Sequence, residues 1–282
     1  MKKLSLLCLL AFALTLLAPF NALAAESQVP TGFPKGFTAP VDDTKGTPIG
    51  GYGGGSGTIT HNPIIFVHGN TRAANDWLPV YKYFLSKGYT PNELWALSWG
   101  NNSVQNVDAN DENIGDIRNF IEEVLRYAQT INPNVKKVDV ISHSLGPTIV
   151  RKSIQVYALE EVVGTHVMIA GANHGMELCA PGINVVCDEL YPNSLWLQAL
   201  NSPVENPAPI KHVTIYDGTG KYDTAFKSEK IKDSPAIKGG INHPINVEQK
   251  LTLSHDELRI HPASIELQYQ SVKDNLVEAS KK

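Results

Sequence analysis

The nine residues Asp139 to Pro147 read DVISHSLGP, an apolar run, a turn of small residues around Ser144, and then the start of a helical pattern. A serine in a tight strand-to-helix turn is held in a strained backbone conformation, and the residues two before and two after it come close together. Those flanking positions demand small size, which Ser142 and Gly146 supply although the first is not glycine. Pro147 falls in the first helical turn, where a missing N–H costs little. Ser144 is therefore a candidate nucleophile. Attack on a carbonyl also needs hydrogen-bond donors for the developing oxyanion. The backbone N–H of Leu145, next to the serine, is one. The sequence His68-Gly69-Asn70 after the apolar run IIFV offers the other, with Gly69 permitting close approach and Asn70 supplying its N–H. His68 and His143 flank the two turns and read as packing and hydrogen-bonding residues rather than as bases.

These groups need a frame, and the pattern from residue 63 onward supplies one. Short β-rich apolar runs over 63–67, 93–99, 136–142, 165–170 and 211–217 read as strands. Helical patterns fall over 75–88, 111–130 and 261–276, the second with Ile114, Ile117, Ile121 and Leu125 on one stripe. Apolar strands without polar alternation, separated by helices, predict a mainly parallel sheet covered on both faces. Chemistry in such a sheet sits beyond the carboxyl ends of the strands. Ser144 and Asn70 both fall there. The glycine-rich segment 46–63 has a linker's composition, but Ile49 and Tyr52 argue for a loop packed on the domain.

The segments NPIIFVHGN, VDVISHSLG, HVMIAGANHG, VTIYDGTGKYD and LSHDELRIHPASIELQYQ, in that order, resemble the secreted bacterial class 2 lipases. The stretch GGYGGGSG…NPIIFVHGN is also similar to the start of some extracellular polyhydroxyalkanoate depolymerases. The resemblance covers roughly residues 48 to 275 and implies an α/β-hydrolase fold. It implies a carboxylic-ester hydrolase that needs no cofactor and no metal, with catalytic groups in the chain order Ser, Asp, His.

The base is then expected late in the chain. His255 follows QKLTL (249–253), read as the end of a strand, and precedes the final helix. The resemblance puts the catalytic position there. His261, just before Pro262, reads as the start of that helix. A zinc site of His255, Glu257 and His261 does not have the H-E-x-x-H spacing. The acid follows the strand KHVTIYD and is either Asp217, at the strand end and before Gly218, or Asp223. The resemblance favours Asp223. The implied reaction is attack by Ser144 on an ester carbonyl, with His255 as base, Asp223 orienting it, and the Asn70 and Leu145 amides holding the oxyanion.

The chain opens with Lys2 and Lys3, an apolar run and Ala22-Leu23-Ala24, the layout of a signal peptide ending at residue 24. Residues 25–282 are then one catalytic domain, secreted or periplasmic. No later segment is apolar for long enough to span a bilayer, so stable membrane insertion is not expected. Cleavage removes both lysines and takes the formal charge from −4 to −6. That balance argues against nucleic acid as a partner. The cysteines left, Cys179 and Cys187, read as a local disulfide in an oxidising compartment.

The expected partner is an ester: a lipid, a small ester or an aliphatic polyester, cleaved by a monomer. Residues 176 to 210, between GANHG and KHVTIYD, leave little chain for a large lid, which predicts an open site walled by Leu195 and Trp196. Two other readings stand beside the short- to medium-chain esterase. One is an extracellular polyester depolymerase. The other is a non-catalytic binding protein on the same fold, which would be expected to have lost the serine or the histidine.

Overall fold

The computed structural model describes residues 30–42, 46–100 and 110–279. The expected signal segment 1–24 lies outside them. Among the described residues seven strands form one sheet: β1 (Gly50–Gly53), β2 (Ile64–Val67), β3 (Leu94–Ser98), β4 (Val138–His143), β5 (Val163–Ile169), β6 (Lys211–Tyr216) and β7 (Ile241–Pro244). Their order is β1-β3-β2-β4-β5-β6-β7. All neighbouring pairs are parallel except β1 with β3. The order reverses around β2 and β4, which carry the His-Gly-Asn turn and the Ser144 turn on adjacent carboxyl ends. A crevice at such a reversal is where this class of sheet binds ligands.

Every residue of β2, β3 and β4 is buried, so the sheet is covered on both sides. Helix α1 (Leu78–Ser86) meets α8 (Pro262–Val272), which the single turn α7 (Glu257–Ile260) precedes, while α2 (Asn110–Ile131) packs along α3 (Gly146–Tyr157). The α2 stripe turns Ile114, Ile117 and Ile121 inward, with Leu125 half-buried at its edge. Trp77, Trp95 and Trp99 are fully buried; Trp77 stacks on Phe66 at 5.2 Å and Trp95 meets Phe37 at 4.8 Å. Burying a side chain such as Phe66 contributes roughly 1.5–3 kcal/mol. This is the α/β-hydrolase fold.

Two elements differ from the sequence reading. Residues 50–53 are a strand rather than loop, pairing Tyr52 with Ala96, although Ile49 and Tyr52 are buried as expected. Their glycines carry no period-two pattern to betray it. QKLTL is not a strand; β7 takes that place eight residues earlier, followed by the single turn α6 (Ile245–Glu248). The reason is local: the Asn246 side chain accepts from Leu253 N at 2.9 Å and donates to Leu253 O at 3.0 Å, so one amide replaces a ladder. Leu195 and Trp196 open the short helix α5 (Leu195–Leu200), which α4 (Val185–Leu190) precedes.

Candidate active site

Ser144 has φ +60°, the strained left-handed conformation that a nucleophile turn imposes on a non-glycine residue. Its N–H donates to Ile169 O at 2.9 Å, tying the turn to β5. A Cβ at position 146 would sit 2.9 Å from Val67 O and 3.0 Å from His68 O, so glycine is obligatory there. Position 142 is not under that constraint: Ser142 is fully buried and its hydroxyl meets His166 Nε2 at 2.8 Å. The departure from Gly-x-Ser-x-Gly is thereby accommodated.

The His-Gly-Asn turn lies directly against this elbow. A Cβ on Gly69 would come within 2.6 Å of Ser144 Cβ, so only glycine lets the two turns meet. His68 Nδ1 donates to Gly69 O at 2.7 Å and its ring stacks on Trp99 at 4.9 Å. Burial pushes the His68 imidazole down to about 4, so it is neutral at physiological pH. Because the carbonyl of Gly69 and the N–H of Asn70 belong to one trans peptide, this bond also fixes the direction of the Asn70 N–H. Among the described residues, neither the Asn70 nor the Leu145 amide is taken by another acceptor. Both residues line the same cavity as Ser144 and His255.

His255 Nε2 stands 2.8 Å from Ser144 Oγ. Its Nδ1 faces Asp223 Oδ1 at 2.9 Å and Oδ2 at 3.0 Å. Asp223 is fully buried and the imidazole keeps 23% of its surface exposed, so the chain of groups runs from interior to cavity. His143 Nε2 donates to the His255 carbonyl at 2.9 Å and holds the loop in place. Burial, reinforced by the neighbouring His255, drives the His143 imidazole well below its ordinary range. His143 and His68 therefore act as the packing and hydrogen-bonding residues expected.

Asp217 does not touch His255. Its carboxylate collects Thr219 Oγ1 at 2.6 Å, the N–H groups of Lys221, Tyr222 and Asp223 at 3.1–3.3 Å, and Asn246 Nδ2 at 2.6 Å. Burial pushes this carboxyl up, but the hydrogen bonds from Thr219, Asn246, Tyr222 and Asp223 outweigh it and hold the group below the usual range. Asp217 thus folds the loop that carries Asp223. His261 accepts from Ala263 N at the head of α8, and Glu257 accepts from Ser254, so neither turns toward His255 as a zinc set would require. Asn246, which the sequence reading passed over, links the Asp217 loop to the segment leading into His255. Its only sequence signal is an asparagine beside a turn.

The cavity in front of Ser144 encloses about 280 Å³. Its walls are Met176, Leu178, Cys179, Val186, Cys187 and Leu190 on one side and Phe226 on the other. Cys179 and Cys187 are disulfide-bonded, with Cα atoms 4.6 Å apart. The wall is therefore the disulfide loop and α4. Leu195 and Trp196 are not part of it. Helix α5 packs on α3 and α4 through Leu197 and Leu200, leaving Leu195 exposed, while Trp196 Nε1 donates to Asp111 Oδ1 at 3.0 Å. The apolar residues of the cysteine loop were the available signal.

Among the described residues no helix is long and apolar enough to cross a membrane. The fold is shared with Aspergillus fumigatus lipase B, at 14% identity and a TM-score of 0.63, covering 90% of this chain and 57% of that one. The chain thus spans little more than half the length of that relative. The mature form of the Bacillus licheniformis lipase BlEst2 is similar at 13% identity and a TM-score of 0.55, covering 74% of this chain and 91% of that one. The pattern that defines class 2 lipases matches residues 61–237, more than half of the sequence. With a serine elbow, an adjoining His-Gly-Asn turn and a parallel hydrolase sheet, this chain belongs to the class 2 lipase family.

Proposed function

We propose that this chain is a secreted carboxylic-ester hydrolase that cleaves short- to medium-chain acyl esters through Ser144, His255 and Asp223. The reading is carried by the unbroken line from Asp223 through His255 to Ser144 Oγ, with separations of 2.9 and 2.8 Å. His255 takes the Ser144 proton as Oγ attacks the ester carbonyl, and Asp223 stabilises the imidazolium that forms. The tetrahedral oxyanion lies against the Asn70 and Leu145 amides. His255 returns the proton to the leaving alcohol, and water then releases the acid from Ser144 by the same steps. The disulfide-braced apolar wall of Leu178, Val186 and Leu190 would receive the acyl chain, and a cavity of about 280 Å³ suits a short or medium one. Between β5 and β6 the described residues form two six-residue helices and connecting loops, which is little material for a large mobile lid.

The signal-peptide pattern and the single disulfide both support export. The test is Ser144→Ala. Hydrolysis of a butyryl or octanoyl ester should fall on the order of a thousandfold or more, with the fold retained, and a fluorophosphonate should label only the parent protein. A folded Ser144→Ala protein keeping about a tenth of the activity overturns the assignment.

A further inference from the structure

Away from Ser144, a second cavity of about 110 Å³ opens beside α3. Arg151, on α3, and His212, on β6, form its polar end, with Ile154, Leu200, Val204 and Pro207 as an apolar wall. Arg151 is only 5% exposed and makes no salt bridge among the described residues. Its guanidinium donates to three neutral oxygens, Asn173 Oδ1 at 3.2 Å, Asn201 Oδ1 at 2.8 Å and Glu205 O at 3.3 Å, which leaves donors to spare among its five N–H groups. A buried cation without a carboxylate partner is costly, and such groups are ordinarily paired.

His212 is 3% exposed and its ring nitrogens make no well-aligned hydrogen bond, the Pro207 carbonyl being the acceptor that stands near the ring. Two carboxylates stand nearby. Glu205 and Glu160 both line the cavity; the Glu205 carboxylate is bonded to His174 Nε2 at 3.3 Å and Lys238 N at 2.7 Å and acts on Arg151 only through space, without a salt bridge. Burial lowers the Arg151 guanidinium to about 10 and the His212 imidazole to about 4, so near neutral pH the first is charged and the second is a neutral donor.

The geometry points to a binding site for a short-chain aliphatic monocarboxylate, with the carboxylate on Arg151 and His212 and the alkyl part against Ile154, Leu200 and Val204. An inorganic oxyanion would find too few donors and an apolar wall it cannot use. The space of about 110 Å³ admits a short acid and excludes a long chain. The same class of acid is what ester cleavage at Ser144 would release, so the site would sense product without occupying the catalytic cavity. A structural line leads back to the elbow: the His212 ring lies 6.0 Å from that of His166, whose Nε2 meets Ser142.

Butyrate binding to the purified protein, followed by calorimetry and by ligand-observed NMR, tests this. A millimolar dissociation constant is expected for so small a ligand. It should weaken at least tenfold in Val204→Trp, which fills the cavity from a half-exposed position, and in Arg151→Gln. Should Arg151→Gln fail to fold, Val204→Trp still decides. Butyramide should not compete. Leu178→Trp, which obstructs the catalytic cavity instead, should leave this binding intact, so failure here is separable from failure of the esterase reading. No binding at tens of millimolar butyrate, binding unchanged in Val204→Trp, binding lost only in Leu178→Trp, or preference for sulfate over butyrate would each overturn the proposal.

Discussion

Asn246 Nδ2 donates to Asp217 Oδ1 at 2.6 Å, and the same amide brackets both backbone groups of Leu253, two residues before His255. One side chain therefore fixes the relative position of the loop that carries Asp223 and the loop that carries His255, which lie on separate connections of the sheet. It touches neither Ser144 nor His255 and acts as a positioning residue. Asn246→Ala should lower kcat by as much as about 100-fold, the cost of misplacing reacting groups by an ångström, with KM nearly unchanged. A variant that loses stability yet keeps full kcat at low temperature would mean that the two loops hold their places without it.

Two aspartates six residues apart do different work, and their amides separate them. Asp223→Asn keeps the loop but presents the wrong partner to His255 Nδ1, so kcat should fall about 10³- to 10⁴-fold with little change in Tm. Asp217→Asn weakens a site that gathers five donors and should cost about 1–3 kcal/mol of stability with a smaller loss of kcat. If Asp217→Asn abolishes activity while Asp223→Asn retains it, the two assignments are reversed.

The contrast between these residues explains what the sequence could convey. The Ser144 elbow is specified by neighbours within two positions, so small residues between an apolar run and a helix suffice to reveal it. Buried strands without alternation likewise revealed the parallel sheet. Asp217 and Asp223 are equivalent on that local view; only contacts with Asn246 and His255, about 30 residues away, tell them apart. Strand β1 went unread because glycine carries no hydrophobic pattern. The shortness of residues 176–210 and the spacing of their apolar residues put Trp196 at the wall of the site, yet its ring faces Lys152 at 5.5 Å and its N–H is spent on Asp111. Helical spacing identifies a face without naming what the face meets.

Asp139, at the amino end of β4, links stability to pH. Burial pushes its carboxyl up to about 7 from an ordinary 3.8, against the opposing hydrogen bonds from Asn275, Thr165 N and Asn62. A group that binds its proton more tightly when folded contributes stability fully present below the unfolded value and lost as pH rises through the folded one. That contribution should therefore be complete below pH 3.8 and gone above about 7, a change on the order of 4 kcal/mol. Urea unfolding of the parent and Asp139→Asn at matched pH isolates it. The stability of the parent relative to the variant should fall between pH 4 and 8. A constant difference across that range would show that the three donors keep the carboxylate ionised throughout.

The disulfide should govern both stability and the choice of acyl chain. Cys179 and Cys187 are eight positions apart, and closing so short a loop stabilises by about 2–3 kcal/mol on the entropy account. Both residues also line the cavity in front of Ser144 beside Leu178 and Val186, so the bridge fixes the wall against which an acyl chain would lie. An acetyl group scarcely reaches that wall, whereas an octanoyl chain runs along it. Cys179→Ser with Cys187→Ser should thus raise KM for octanoyl esters more than for acetyl esters, with kcat for acetate little altered because Ser144 and His255 stand on other elements. Parallel kinetics on the two esters, below the melting temperature of the variant, measure the ratio. Equal losses on both would mean that the loop supports the fold alone and that the acyl chain takes another path from Ser144.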